Sequence, residues 1–159
     1  MRLTSLSDYA LRLLMYVGAR PERLCTIAEV SGAYGISEAH LMKITHQLAM
    51  GGWIETVRGK GGGMRLAKKP GEIRLGDVVR TTETDFRIVE CFASGSPCTL
   101  TGDCRLTGIL HGALQDFLKR LDGHTLADIL PPGGAAQAPS GGIPVRLSRR
   151  KPASLRRAA

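Results

Sequence analysis

Long apolar runs are missing from this sequence of 159 residues. No stretch approaches the roughly 18 consecutive apolar residues that span a bilayer, and Asp8 and Arg12 interrupt the apolar N-terminal stretch that a signal peptide would need. We therefore expect no membrane segment and a cytoplasmic location. Because disulfide frameworks are rare in that reducing compartment, clustered cysteines are expected to hold a metal or to react.

Recognisable catalytic patterns are also missing. The sequence shows no paired carboxylates, no Ser/His/Asp set and no nucleotide-binding motif. The glycine-rich segment 58–63 lacks P-loop spacing and is predicted to link two strands, whereas a P-loop opens a helix. The protein is therefore predicted not to be an enzyme.

Aromatic residues are scarce, with one Trp, three Tyr and three Phe. Leu, Ile, Val and Ala are nonetheless plentiful up to about residue 130, which predicts that this part folds. Residues 131–159 are rich in Pro, Gly, Ala and Ser without a sustained apolar period, which predicts a disordered tail. The tail is basic and contains no acid, so it is interpreted either as a solubilising segment or as an arm that lies along DNA phosphates.

Two capping patterns mark helix starts in the N-terminal part of the chain. Ser5 and Asp8 have the spacing of a capping box and predict a helix over 6–18. Thr26 and Glu29 have the same spacing and predict the start of a second helix.

The second predicted helix is short, over 27–32, and Cys25 and Val30 occupy the two positions of a hydrophobic staple around its start. This pattern predicts a structural role for Cys25, which is left out of the reactive set. A tight turn then leads to Ser37, which is predicted to cap a third helix that ends at about Met50. The order is that of a helix-turn-helix.

The third helix separates its apolar residues from its other residues on a helical projection. Its second face mixes a small residue, a flexible apolar one, a cation and an imidazole, a combination that suits base edges and phosphates in a major groove. These residues are Ala39, Met42, Lys43 and His46. An ordinary solvated helix face has the same appearance, and on this helix alone that interpretation is favoured.

A basic hairpin follows directly. Segments 54–57 and 64–67 are predicted to be strands. The glycine-rich tip between them provides Arg58 and Lys60, and Arg65 follows in the second strand, with no acidic residue among the three. A helix-turn-helix followed by such a hairpin is the winged arrangement, in which the hairpin touches the neighbouring minor groove or backbone. Arg58 and Lys60 are therefore predicted to contact DNA.

A long amphipathic segment follows the last cysteine. Its apolar residues recur at three- and four-residue steps through roughly four turns: Leu106, Ile109, Leu110, Ala113, Leu114, Phe117, Leu118 and Leu121. Such a stripe would pad the core of a monomer or seal a dimer. Because the winged domain is already complete without it, a two-fold dimer interface is favoured.

The predicted fold class is mainly α with a small β wing, a winged helix-turn-helix plus a long dimerisation helix. Four regions are predicted along the chain. They are 1–82, the DNA-binding domain, in which 75–82 is a short linking helix; 83–105, a cysteine loop; 106–130, the dimerisation helix and a closing short helix; and 131–159, the disordered basic tail.

Cys91, Cys98 and Cys104 lie close together in the third quarter of the chain. Their gaps of six and five residues differ from the two- or four-residue gaps of structural zinc sites. Wider gaps in a loop rich in Gly suit a larger object such as an iron-sulfur cluster. The spacing alone leaves a cluster, zinc and plain reduced cysteines open.

The order of these features resembles the iron-sulfur winged-helix repressor family that includes IscR and NsrR, and most of all its nitric-oxide-sensing NsrR branch. The resemblance covers about residues 1–130. It is carried by LTSLSDYALRLLMY, YGISEAHLMKITHQL, GWIETVRGKGGGMRLAK, IRLGDVVRTTE, the three clustered cysteines and TLADIL.

The resemblance implies a homodimer in which Cys91, Cys98 and Cys104 ligate a 4Fe-4S cluster, with 2Fe-2S or zinc as lesser alternatives. In NsrR-like relatives the fourth ligand can be an aspartate near the N-terminus of the other subunit, and Asp8 matches that position. Asp8 therefore has two open interpretations, as a helix cap and as a ligand. IscR-like relatives have a His where this chain has Thr107, which argues against that branch.

The resemblance also implies the function. The cluster-loaded dimer would bind double-stranded operator DNA, and nitrosylation of the cluster would release it. Two alternatives stay open: an iron-sulfur or redox homeostasis regulator of the same fold, and a winged-helix repressor whose cysteines bind zinc or sense oxidation.

Overall fold

The computed structural model describes residues 2–93, 95, 98 and 104–131. The predicted fold class is confirmed, since helices dominate and the sheet has two strands. The helices are α1 (Ser5–Gly18), α2 (Ile27–Tyr34), α3 (Glu38–Met50), α4 (Leu75–Thr82), α5 (Arg105–Asp122) and α6 (Leu126–Ile129), and the strands are β1 (Ile54–Val57) and β2 (Gly63–Leu66). Short 3-10 turns lie at Pro70–Glu72 and Glu90–Phe92.

Two predicted regions fall wholly or partly outside this description. The basic tail lies outside the described residues except for residue 131, and so does much of the cysteine loop between residues 94 and 103. Of the described helices, none is both long and apolar enough to cross a membrane.

The start of α1 differs from the prediction. Thr4, not Ser5, is the capping residue, because the Thr4 hydroxyl accepts a hydrogen bond from the backbone N–H of Ser7. The predicted capping box of Ser5 with Asp8 is therefore wrong. The Asp8 carboxylate instead faces one turn along the helix and pairs with Arg12, with 2.9 Å between Arg12 Nη2 and Asp8 Oδ2.

Helix α2 starts as predicted and ends later. The capping box is confirmed: Glu29 accepts from the Thr26 N–H at 2.7 Å, and the Thr26 hydroxyl accepts from the Glu29 N–H at 3.2 Å. The helix ends at Tyr34 because Gly35, not the earlier Gly32, adopts the left-handed conformation that closes a helix, with φ of 66°.

The core is aliphatic, as the scarcity of aromatic residues requires. It joins α1, α2, α3, the sheet and α6, and its fully buried members include Leu13, Leu14, Leu41, Ile44, Leu48 and Leu126. Cys25 is also fully buried in this core. Burial raises the pKa of the Cys25 thiol, which disfavours the reactive thiolate and agrees with a structural role.

The wing is an antiparallel hairpin with Ile54 opposite Leu66 and Val57 opposite Gly63. The second strand begins one residue earlier than predicted because Gly63 pairs with the last residue of β1. Met64 also exchanges two backbone hydrogen bonds with Cys25, at 2.9 and 2.8 Å, so the wing is attached to the segment before α2.

The C-terminal helices return to the winged domain. Helix α4 has the predicted bounds, α5 packs against α4, and the Leu126 N–H at the start of α6 donates to the Ile73 carbonyl at 2.8 Å. Of the apolar stripe on α5, Leu114 and Leu118 are buried. Leu106 and Ile109 are 58% and 68% exposed, so the first half of the stripe faces outward in the single chain.

Candidate DNA-binding and cysteine sites

Helix α3 presents the predicted DNA-binding face to the outside. The residues named for that face, Ala39, Met42, Lys43 and His46, are all exposed. Beneath them Leu41, Ile44 and Leu48 are fully buried. The apolar side thus fixes the rotation of the helix, and the opposite side is available for contact with base edges and phosphates.

The tip of the wing exposes Arg58 and Lys60. Gly59 and Gly61 flank Lys60 with φ of 96° and 78°, a backbone region that favours glycine. These glycines turn the chain tightly and leave the two cations at the outermost part of the hairpin.

The third basic residue of the wing is paired with an acid. Arg65 lies on β2 opposite Glu55 of β1, and its Nη2 is 2.8 Å from Glu55 Oε2. The free positive charge of the wing therefore belongs to Arg58 and Lys60. Neither forms an ion pair within the part of the chain that the structure describes.

The recognition helix and the wing are joined by buried contacts that sequence reasoning missed. The Thr45 hydroxyl of α3 donates to Met64 Sδ of β2 at 3.9 Å. Trp53 lies between the two elements and is 8% exposed. A threonine in a helix gives no sequence signal for such a contact, because the partner is set by the fold.

The three clustered cysteines are half-buried, and no disulfide joins any of the four cysteines. Cys91 lies in the 3-10 turn Glu90–Phe92, and Cys104 directly precedes α5. Thr107, in the first turn of α5, stands close to both, with 3.7 Å between its Oγ1 and Cys91 Sγ. Among the described residues, no three His, Cys, Asp or Glu side chains converge as a metal-binding group.

The Cys104 thiol has the electrostatic environment of a metal ligand. A hydrogen bond from the Thr107 side chain is the main cause that lowers the pKa of Cys104. The N–H groups of Thr107 and Leu106 at the start of α5 lower it further, although no capping hydrogen bond to the Cys104 side chain is completed. A thiolate is the form that binds metal, so this donor set fits a thiolate-ligated group.

Asp8 lies in the first turn of α1 with its side chain 46% exposed. The structure does not bring it into a metal-binding group with the cysteines of the same chain, so far as the described residues go. Arg12 holds the Asp8 carboxylate through two nitrogens, Nε at 3.0 Å and Nη2 at 2.9 Å.

Comparison with known proteins identifies the family. The family model for Rrf2, described as an iron-dependent transcriptional regulator, matches residues 3–132. The chain belongs to the Rrf2 family. Its members are transcriptional regulators, which confirms the predicted family resemblance and the prediction that the protein is not an enzyme.

Relatives within the Rrf2 family are similar over nearly their whole length. The chain is 52% identical to the HTH-type transcriptional regulator NsrR of Geobacillus kaustophilus over 132 residues, which is 82% of this chain and 90% of the relative. It is 45% identical to the regulator of the same name in Bacillus subtilis over 132 residues, with the same shares covered.

Solved structures of Rrf2-type regulators share the fold. T. potens IscR matches with a TM-score of 0.65 and 21% identity, covering 80% of this chain and 85% of that one. CymR of B. subtilis, the global cysteine regulator, matches with a TM-score of 0.66 and 22% identity, covering 80% and 95%. The protein is therefore a winged-helix transcriptional regulator.

We expect the side chain of Thr107 to control the reactivity of the Cys104 thiol. Thr107→Val removes the hydroxyl that lowers the pKa of Cys104, so the pKa rises and the thiolate fraction at pH 7 falls. In cluster-free protein carrying Cys91→Ala and Cys98→Ala, alkylation of Cys104 at pH 7 should slow roughly two- to threefold, a modest effect because both partners of the bond are only half-buried and solvent screens it. The control Thr107→Ser keeps the hydroxyl and should react like the parent. Equal rates in all three proteins would contradict the assignment.

Proposed function

We propose that this Rrf2-family protein is a nitric-oxide-sensing iron-sulfur repressor. The cluster-loaded dimer binds operator DNA, and nitrosylation of the cluster releases it. The observation that carries the proposal is the set of three half-buried thiols beside an exposed winged helix-turn-helix, in a chain 45–52% identical to regulators named NsrR.

The proposed ligands of a 4Fe-4S cluster are Cys91, Cys98 and Cys104 together with Asp8 of the partner subunit. When bound, the cluster would supply iron able to react with nitric oxide, and Asp8 would be the ligand most easily displaced because a carboxylate is a poorer ligand than thiolate for a soft metal. Ligation requires Asp8 to leave Arg12. That pair is exposed and spaced i,i+4, so opening it costs only about 0.3–0.5 kcal/mol.

The outward-facing start of α5 supports the proposed homodimer. Leu106 and Ile109 are more than half exposed in the single chain, and they lie in the first five residues of α5, which begins after Cys104. Two such stripes packed about a two-fold axis would bury them. The same packing would bring the cysteines close to the partner subunit, as the proposed ligation by its Asp8 requires.

The proposed DNA contacts divide between two elements. Ala39, Met42, Lys43 and His46 enter the major groove, and Arg58 with Lys60 touches the minor groove or backbone beside it. A two-fold repressor reads half-sites about 34–36 Å apart. A small rotation of the subunits would therefore misplace one recognition helix. Because the proposed ligands come from both subunits, a bound cluster would fix their relative orientation and so control the affinity for operator DNA.

The test is the composition of protein purified without air. We expect visible absorbance with iron and sulfide near four per chain for the proposed cluster type. Two per chain would assign a 2Fe-2S cluster. Stoichiometric zinc in a colourless protein, or no metal in protein that binds its operator normally, would overturn the proposal in favour of a zinc- or thiol-based repressor.

A further inference from the structure

Consecutive residues in the last turn of α4 contact three different helices, α5, α3 and α1. Arg80 Nη2 donates to Asp122 Oδ2 of α5 at 2.8 Å. The carbonyl oxygen of the next residue, Thr81, accepts a hydrogen bond from Gln47 Nε2 of α3 at 2.8 Å. This oxygen is one of the four final carbonyls of α4, which have no partner inside the helix. Gln47 therefore satisfies the C-terminal end of α4 from the recognition helix.

The two following residues hold α1. The Thr82 and Ser7 hydroxyl oxygens are 2.7 Å apart and buried. Glu83 Oε1 accepts from the Ser7 hydroxyl at 2.6 Å and from the Thr4 N–H at 2.8 Å. The start of α1 is thus fixed to the residues directly after the Gln47 contact.

Close packing reinforces the contact between α3 and α4. A Cβ built on Gly51, which follows α3, would stand 3.2 Å from the Thr81 methyl group and 2.8 Å from Trp53 Nε1. The end of α3 therefore has no free space toward α4. A displacement of this turn of α4 either moves α3 with it or breaks the Gln47 hydrogen bond.

We propose that residues 80–83, the α4 junction, couple the cysteine loop to the recognition helix, and that Gln47 is the positioning residue that holds α3 to this junction. The cysteine loop begins at Glu83, α1 carries Asp8, and α5, which begins after Cys104, reaches the junction through its last residue, Asp122. The elements that supply the proposed cluster ligands thus meet at residues 80–83, and Thr81 among these residues holds α3 through Gln47. The proposal rests on the proposed function, in which the state of the cluster determines the position of the cysteine loop.

The first test compares operator affinity with and without the cluster. Gln47→Met keeps the size of the side chain and removes the donor. We expect unchanged visible absorbance, cluster-free affinity within about twofold of wild type, and a ratio of holo to apo affinity lowered about fivefold, the value of one hydrogen bond. Met50→Ala, an exposed position in the same turn of α3, should leave the ratio unchanged. An equal loss in both forms, or an unchanged ratio, would overturn the proposal.

A double-mutant cycle in cluster-free protein tests the junction independently of the cluster. Ser7 and Gln47 lie on different helices and each bonds to neighbouring residues of α4. The change in the unfolding equilibrium constant of the double variant should differ by at least about threefold from the product of the changes in the single variants Gln47→Met and Ser7→Ala, because both residues act through one turn of α4. If the effects simply multiply, the junction does not couple the two helices. If wild-type holo and apo protein bind operator equally, the proposed function fails while this result still decides the junction.

Discussion

Cys104→Ser is expected to abolish iron incorporation and to lower operator affinity at least about 100-fold. A hydrogen bond from the Thr107 side chain is the main cause that lowers the pKa of the Cys104 thiol and so favours the thiolate that binds metal. A serine hydroxyl does not ionise at neutral pH and is a poor ligand for a soft metal. Specific DNA affinity typically exceeds non-specific affinity by about 10³–10⁷. A protein that loses the cluster-loaded conformation and keeps only non-specific binding can therefore lose about 100-fold in operator affinity.

The measurement is anaerobic absorbance with iron assay, followed by mobility shift on the operator. Cys25→Ala is the matched control, because Cys25 is fully buried in the core of the winged domain. It should retain iron and operator affinity. Wild-type iron content in the Cys104→Ser protein would remove Cys104 from the ligand set.

Arg58→Ala is expected to relax sequence discrimination, whereas Lys43→Ala should weaken binding to all sequences alike. The planar Arg58 guanidinium is exposed at the wing tip and can bind base-edge acceptors or enter a narrow minor groove. Loss of such a contact costs about 1–3 kcal/mol, or roughly 10- to 100-fold in the ratio of operator to scrambled DNA. A lysine that contacts a DNA phosphate adds affinity for any sequence. It contributes about one unit to the slope of the logarithm of the binding constant against the logarithm of the salt concentration.

Both variants are to be titrated with operator and scrambled duplexes at several salt concentrations. Arg65→Ala provides a control on the same hairpin, since Arg65 is already paired with Glu55 and should contribute little to discrimination. If Arg58→Ala lowers the affinity for both duplexes by the same factor, Arg58 contacts only the backbone and sequence is read elsewhere.

Local patterns predicted most of the fold. The apolar spacing of Leu41, Ile44 and Leu48 set the rotation of α3 and hence its exposed face, because one side of a helix must enter the core. The capping box at Thr26 and the bounds of α4 were also predicted, since both depend on neighbours in sequence.

Errors arose where two neighbouring residues satisfied the same rule. Thr4 and Ser5 are both capping residues, and Thr4 is selected because Glu83, 79 residues away, binds its N–H. Gly32 and Gly35 both suit a helix end, and backbone conformation decides for Gly35. The pairs of Arg65 with Glu55 and of Gln47 with Thr81 likewise depend on strand register and helix packing.

The candidate site was predicted unevenly. The spacing of Cys91, Cys98 and Cys104 singled them out, and their half-buried positions fit a ligand role. The hydrogen bond of Thr107 to Cys104 could be anticipated only from its place in the first turn of α5. The assignment of Asp8, the DNA contacts and the division into four regions stay predictions, because they depend on a second chain or on DNA.

The most direct test of the central claim is a mobility shift with anaerobically purified, iron-loaded protein on its operator, before and after titration with nitric oxide. We expect operator binding to be lost as the visible absorbance of the cluster is bleached, with both changes completed at the same ratio of nitric oxide to cluster. Unchanged operator binding after the absorbance has been bleached would contradict it.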